Sequence, residues 1–173
     1  GSDLGAEKFF DIKARYGELD VAGAVIVATV RSIKHNAGVA KAELSNENVA
    51  ALEEGIVNLE RHVENVRKFG VTPVVALNRF ATDSEAELDF LKNWAQAKDI
   101  ALAEADVWAK GGDGALELAQ TLLDNLTEGT SHPLYDPAEG VEASIETIAK
   151  EIYRASDVQY SAAALKDLQT LKD

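Results

Sequence analysis

The sequence predicts an α/β protein: a mostly parallel sheet with flanking helices, followed by a C-terminal helical appendage. Two observations carry that fold class. Hydrophobic periodicity alternates between unbroken apolar runs and three-to-four spacing, in the order strand, long helix, strand, helix, strand, loop, helix. The runs Ala24–Val30 (AVIVATV) and Val71–Leu77 (VTPVVAL) are apolar almost throughout, as in strands buried on both faces. Strands in that rhythm are joined by right-handed crossovers and lie parallel.

Taken in order, Ala6–Tyr16 places Phe9, Phe10, Ile12 and Lys13 at helical spacing, and Gly17 is its C-cap. Ala24–Val30 is the first strand, and Lys34–Lys41 reads as a polar loop. Ser45 or Asn46 caps a long helix in which Val49, Leu52, Ile56, Leu59, Val63 and Val66 recur at steps of three and four; Gly70 ends it. Val71–Leu77 is the second strand, with Pro73 near its start, where a missing N–H is tolerated. After the loop Asn78–Asp83, Ser84 and Glu87 form a capping box opening a helix that runs to about Ala97. Ile100–Ala103 is a short third strand, Val107–Gly114 a glycine-rich loop and Ala115–Leu126 an amphipathic helix. Thr127–Gly140 holds two of the three prolines and reads as a linker. Val141–Ala155 and Ser161–Lys172 are helices, with a short extended piece at Val158–Tyr160. The expected organisation is a sheet region at 1–126, a linker at 127–140 and a helical appendage at 141–173.

The 173 residues carry 17 Lys and Arg against 30 Asp and Glu, a net charge of −13 that argues against a nucleic-acid or anionic-membrane partner. No Cys is present, which excludes disulfides, thiolate metal sites and cysteine nucleophiles, and three scattered His do not suggest a metal site. The longest apolar run is far short of a membrane span. A soluble protein of a reducing compartment is the default expectation. The chain opens on Gly1 and lacks Met altogether, so it reads as a piece of something longer.

In a parallel sheet, ligands bind beyond the carboxyl ends of the strands. Three segments qualify. Thr29-Val30-Arg31, leading to Lys34-His35-Asn36-Ala37-Gly38, offers two cations, an imidazole and a glycine, and reads equally well as a solvated loop. Asn78-Arg79-Phe80-Ala81-Thr82-Asp83 sets a large ring in a polar loop, where Phe80 either folds back on the core or serves as a stacking platform, with Asn78 able to donate and accept at a heterocycle edge. Asp106–Gly114 adds Trp108, Lys110 and the glycines Gly111, Gly112 and Gly114, which let the backbone approach a ligand. It is not a G-x-x-x-x-G-K-[ST] loop, and nothing else in the chain is. Trp94 and the carboxylates of the long helix read as core and solvated face, respectively.

Five motifs, in register, carry a resemblance: Asp3-Leu4-Gly5-Ala6-Glu7-Lys8-Phe9-Phe10-Asp11-Ile12-Lys13; Val25-Ile26-Val27-Ala28-Thr29-Val30-Arg31; Asn78-Arg79-Phe80-x-Thr82-Asp83-x-Glu85-Ala86-Glu87; Val107-Trp108-Ala109-Lys110-Gly111-Gly112-x-Gly114; and Ile145-Glu146-Thr147-Ile148-Ala149-Lys150-Glu151-Ile152-Tyr153. Over essentially its whole length the chain resembles formate–tetrahydrofolate ligase. Two departures stand out: Lys34–Gly38 differs from the family's usual His-Gly-Gly, and Ala81 replaces the usual Pro.

The resemblance implies an internal fragment of that enzyme, without the family's phosphate-binding loop and therefore inactive alone. It implies a sheet that is a P-loop NTPase-like portion. The parent reaction would make 10-formyltetrahydrofolate from formate, tetrahydrofolate and ATP through formyl phosphate, with Mg2+, stimulation by a monovalent cation, a cytoplasmic location and commonly a homotetramer. Phe80 and Trp108 would hold the pterin by stacking; Asn78 would contact the nucleotide ring, and Lys110, Gly111 and Gly112 would wall the same pocket. The resemblance implies no catalytic proton-transfer residue and no metal ligand in this chain. The other reading is a non-catalytic P-loop-like binding or assembly module. A guanine-nucleotide switch is disfavoured, because Asn78-Arg79-Phe80-Ala81 lacks the acidic fourth residue that reads guanine.

Overall fold

The computed structural model describes residues 5–172. Residues 1–4, including Asp3 and Leu4 of the first motif, and Asp173 at the end of the expected appendage lie outside the described residues. The chain forms two compact units: one comprises Asp20–Ser131, and the other residues 5–19 with residues 132–172.

The first unit is built on a parallel three-stranded sheet, ordered β1 (Ala24–Ala28), β2 (Pro73–Asn78), β3 (Ala101–Ala105). The register pairs Ile26 with Val75 and Val75 with Leu102, and sets Asn78 beside Ala105 at the carboxyl edge. Between β1 and β2 run α2 (Val30–Asn36) and α3 (Val49–Lys68); α4 (Glu85–Ala97) links β2 to β3. Leu52, Ile56, Leu59 and Val63 of α3 and Leu88, Leu91 and Ala95 of α4 pack with Val75 and Leu77 of β2 in one core. This is the crossover arrangement that the alternating periodicity predicts.

Several details differ from the sequence expectation. Residues 30–36, expected as strand end and loop, form helix α2, capped by Thr29, whose hydroxyl accepts from the Ser32 N–H while Ser32 Oγ accepts from the Thr29 N–H. Only two turns long, it is held by burying Val30 and Ile33 against α3. Its carbonyl at Ile33 passes so near Gly55 of α3 that a β-carbon there would sit 2.0 Å away. Second, α3 is capped by Asn48, whose Oδ1 accepts from Ala51 N–H, rather than by Ser45 or Asn46.

Third, β1 is not buried on both faces. Val25 and Val27 are 41% and 54% exposed. They share a side with Val74 and Ala76 of β2, where α6 (Leu116–Asp124) packs against β3 and β2. The apolar side of β1 is therefore partly open, although its composition is that of a two-sided strand.

The glycine-rich stretch is not an open loop either. It folds as a helical turn, α5 (Val107–Lys110), followed by a 3-10 turn at Gly111–Ala115. The chain beyond α6 is pinned back: Thr127 N–H donates to Ala22 O, Gly129 N–H to Asp20 Oδ2, and Thr130 Oγ1 to Gly70 O.

In the second unit α1 (Ala6–Lys8) continues as a wider π-helical stretch, Phe9–Ala14, and the helix ends at Gly17 as expected. Asp11 accepts from Leu134 N–H, and Arg15 donates to Tyr135 O while lying 4.6 Å over the Tyr135 ring. The helix α7 (Val141–Thr147) passes into a π-helical segment, Ile148–Ile152, and α8 (Ala162–Lys172) ends the described chain; residues 158–160 are not strand. No helix among the described residues is long and apolar enough to cross a membrane.

Candidate functional site

The candidate site residues Asn78, Phe80, Trp108 and Lys110 to Gly112 lie at or just beyond the carboxyl ends of the adjacent strands β2 and β3. Asn78 is the last residue of β2, and Phe80 follows two residues later. Trp108 follows the end of β3 by three residues, on α5. Arg79 N–H donates to Ala105 O, so the two strand exits remain paired one step past the sheet.

The Asn78-Arg79-Phe80 motif divides its labour. The Arg79 guanidinium bridges Glu85 at 2.7 Å and Glu104 at 3.2 Å, locking the turn to α4 and β3. Lys92 also reaches Glu104, at 2.5 Å. The Lys92 hydrogen bond, with Arg79 beside it, holds the Glu104 carboxyl below its ordinary pKa despite burial. Phe80 turns the other way. Its ring is neither swallowed by the core nor left bare: it is 37% exposed, with the Arg31 guanidinium 4.7 Å from its centroid. Asp83 fixes the turn by accepting the Phe80 N–H at 2.8 Å, and burial pushes the Asp83 pKa up in spite of that bond. Trp108 is 92% exposed, a large ring with almost no packing of its own.

The glycines separate by role. Gly114 cannot carry a β-carbon, because it would meet Asp106 O at 2.3 Å; there the glycine serves the turn, where the Asp106 N–H also donates to Gly114 O. Gly111 has a φ of +60°, which side chains rarely adopt. Gly112 faces open space. Lys110 is exposed and 3.2 Å from Asp106.

Behind the three strand exits lies a buried pair that sequence reasoning missed. Lys34 Nζ donates to Glu87 Oε1 at 2.7 Å and to Asn46 O at 2.9 Å. Glu87 also accepts the Asn48 and Ser84 N–H groups, at 2.9 and 3.1 Å. Burial alone would raise the Glu87 pKa; the three donors and the ammonium charge outweigh it and hold the carboxyl below its usual range. One carboxylate thus ties α2, the entry to α3 and the first turn of α4 together. The capping box at Ser84 and Glu87 is legible in sequence, but the second use of Glu87 is not, since Lys34 is 53 residues away.

Two clefts, of about 410 and 300 Å3, lie in the second unit, each including Tyr135, Ile148 and Tyr153 in its lining. Among the described residues no group of three His, Asp or Glu side chains is arranged to hold a metal ion.

A three-stranded parallel sheet with its crossover helices, carrying exposed aromatic side chains just beyond its carboxyl edge, defines an α/β domain. Its family follows from comparison with known proteins. The family model for formate–tetrahydrofolate ligase matches residues 1–173, and the chain belongs to that family. Among curated relatives, formate–tetrahydrofolate ligase of Corynebacterium diphtheriae is 58% identical over the whole of this chain, covering 32% of its own length. Those of Corynebacterium jeikeium and Staphylococcus aureus strain JH9 are 50% and 49% identical, with 30% and 31% of their lengths covered. The chain thus spans about a third of the length of these relatives.

Proposed function

We propose that this chain supplies the ring-binding part of a ligase that makes 10-formyltetrahydrofolate from formate, tetrahydrofolate and ATP. Phe80 and Trp108 stack on the two faces of the pterin. Asn78 meets the edge of the nucleotide ring, and Lys110, Gly111 and Gly112 wall the same pocket. The observation that carries the reading is the pair of under-packed aromatic rings at the exits of neighbouring parallel strands, in a chain of this family. A ring 92% exposed has no folding role that accounts for it, whereas a flat ligand would bury it.

In the reaction so assigned, a formate oxygen attacks the γ-phosphorus of ATP, giving formyl phosphate and ADP. The folate amine then attacks the formyl carbon; its N–H proton is lost and phosphate departs. Mg2+ would be held chiefly by the nucleotide phosphates and, like the activating monovalent cation, is given no ligand in this chain. The residues here bind and orient; none is assigned a proton-transfer step. The phosphate loop and the formyl phosphate cradle belong to other segments of the parent enzyme, a homotetramer in this reading, and the isolated piece is inactive. The partly open side of β1, with Val25 and Val27, is a surface that those segments would cover.

The test is Phe80→Ala and Trp108→Ala in the complete ligase, with tetrahydrofolate affinity measured directly. Loss of a stacked ring weakens binding by about 1–3 kcal/mol, by analogy with aromatic–base stacking. Unchanged affinity in both variants would refute the stacking role and favour a non-catalytic binding or assembly module.

A further inference from the structure

Arg31 stands in the first turn of α2, and nothing in the family resemblance assigns it a task. Its guanidinium lies over the Phe80 ring, with Cζ 4.7 Å from the centroid. One Nη donates to Thr82 Oγ1 at 3.0 Å, on the same turn as Phe80. Its Nε is shut off from solvent without a hydrogen-bond partner. An arginine that leaves a buried N–H unpaired while lying against a ring is held there by the ring, by Thr82 and by the charge of the neighbouring Asp83 rather than by full hydrogen bonding.

We infer that Arg31 is a positioning residue that backs the Phe80 platform, occupying one face of the ring so that a flat heterocycle is taken on the other. This rests on the stacking role proposed for Phe80. A phenyl group on a short turn would otherwise present either face and sample several rotamers. Here its backbone is fixed by Asp83 and one face is covered by a planar cation tethered to Thr82. Fixing the ring before the ligand arrives lowers the ordering cost of binding. A planar guanidinium does this where an ammonium would not, because it stacks flat and donates sideways at once.

The experiment compares Arg31→Gln, Arg31→Lys, Phe80→Ala and the Arg31→Gln/Phe80→Ala pair in the complete ligase, reading KM for tetrahydrofolate against KM for formate. Arg31→Gln is expected to raise KM for tetrahydrofolate about 2- to 5-fold, the size of a cation–π contact at a partly exposed site, and to leave KM for formate within twofold. Arg31→Lys recovers only part of the loss. In the double variant Arg31→Gln adds nothing, because there is no ring left to back. Additive losses would overturn the inference, since Arg31 would then act on the ligand by itself. A loss in Phe80→Ala with none in Arg31→Gln overturns the role of Arg31 alone; no loss in Phe80→Ala removes the platform reading and this one with it. Should Arg31→Gln fail to fold, Thr82→Val releases the same tether, and an unchanged KM for tetrahydrofolate in that variant overturns the inference.

Discussion

Glu87→Gln removes one negative charge and almost no volume, yet its effect on the first unit should be large. The carboxylate accepts from Lys34 Nζ and Asn48 N–H on one oxygen and from Ser84 N–H on the other, and it is fully buried. A Gln amide has only one oxygen, so either orientation points its NH2 at a donor, and the Lys34 ammonium, 1% exposed, is left buried without a counter-charge. Breaking a buried ion pair by changing one partner costs about 3–5 kcal/mol. Native-state hydrogen exchange on the complete protein reads this locally, through the amides of α2 and the first turn of α4. Lys34→Met should do the same from the other side, while Lys34→Met with Glu87→Leu should cost clearly less than the two single changes summed. The pH dependence follows from the sign of the shift. The folded pKa of Glu87 lies below its ordinary 4.5, so the stabilisation is complete above that value and is lost as the pH falls through the folded pKa. A loss under about 1 kcal/mol in both single variants, or strict additivity, would show that the pair is not the tie described.

Two glycine substitutions test the packing of the same unit. Gly55→Ala lies inside α3, where helix propensity alone favours alanine by about 1 kcal/mol. The new β-carbon would meet Ile33 O at 2.0 Å, so a net loss of about 1–3 kcal/mol is expected in thermal or urea unfolding, and a gain would contradict the α2–α3 contact. Gly114→Ala should lower the melting temperature by driving a β-carbon into Asp106 O, whereas Gly112→Ala, with nothing within 4 Å, should leave it unchanged. Equal effects at the two positions would mean that the turn is not built as described.

Much of the architecture is written locally. The two apolar runs specify strands because β-branched residues pack well on a pleated surface. The Ser84–Glu87 capping box and the three-to-four spacing of α3 place their helices to within a residue or a few. The motif register alone points to the family that the comparison establishes. These are short-range signals, and composition and spacing state them directly.

What tertiary structure decided is what distant residues do to one another. Helix α2 is too short to declare itself, and its cap uses Ser32 where a Glu or Gln would have been legible; burial of Val30 and Ile33 against α3 makes it. Lys34 reads as a solvated loop cation until α4 brings Glu87 to it across 53 residues. Phe80 likewise meets Arg31, 49 positions earlier in the chain, and its ring stays partly exposed beside that guanidinium. Chain separation hides such pairs because a side chain's solvation and partners are fixed only when elements pack, and the free energy that separates a buried ion pair from two surface charges does not exist before then.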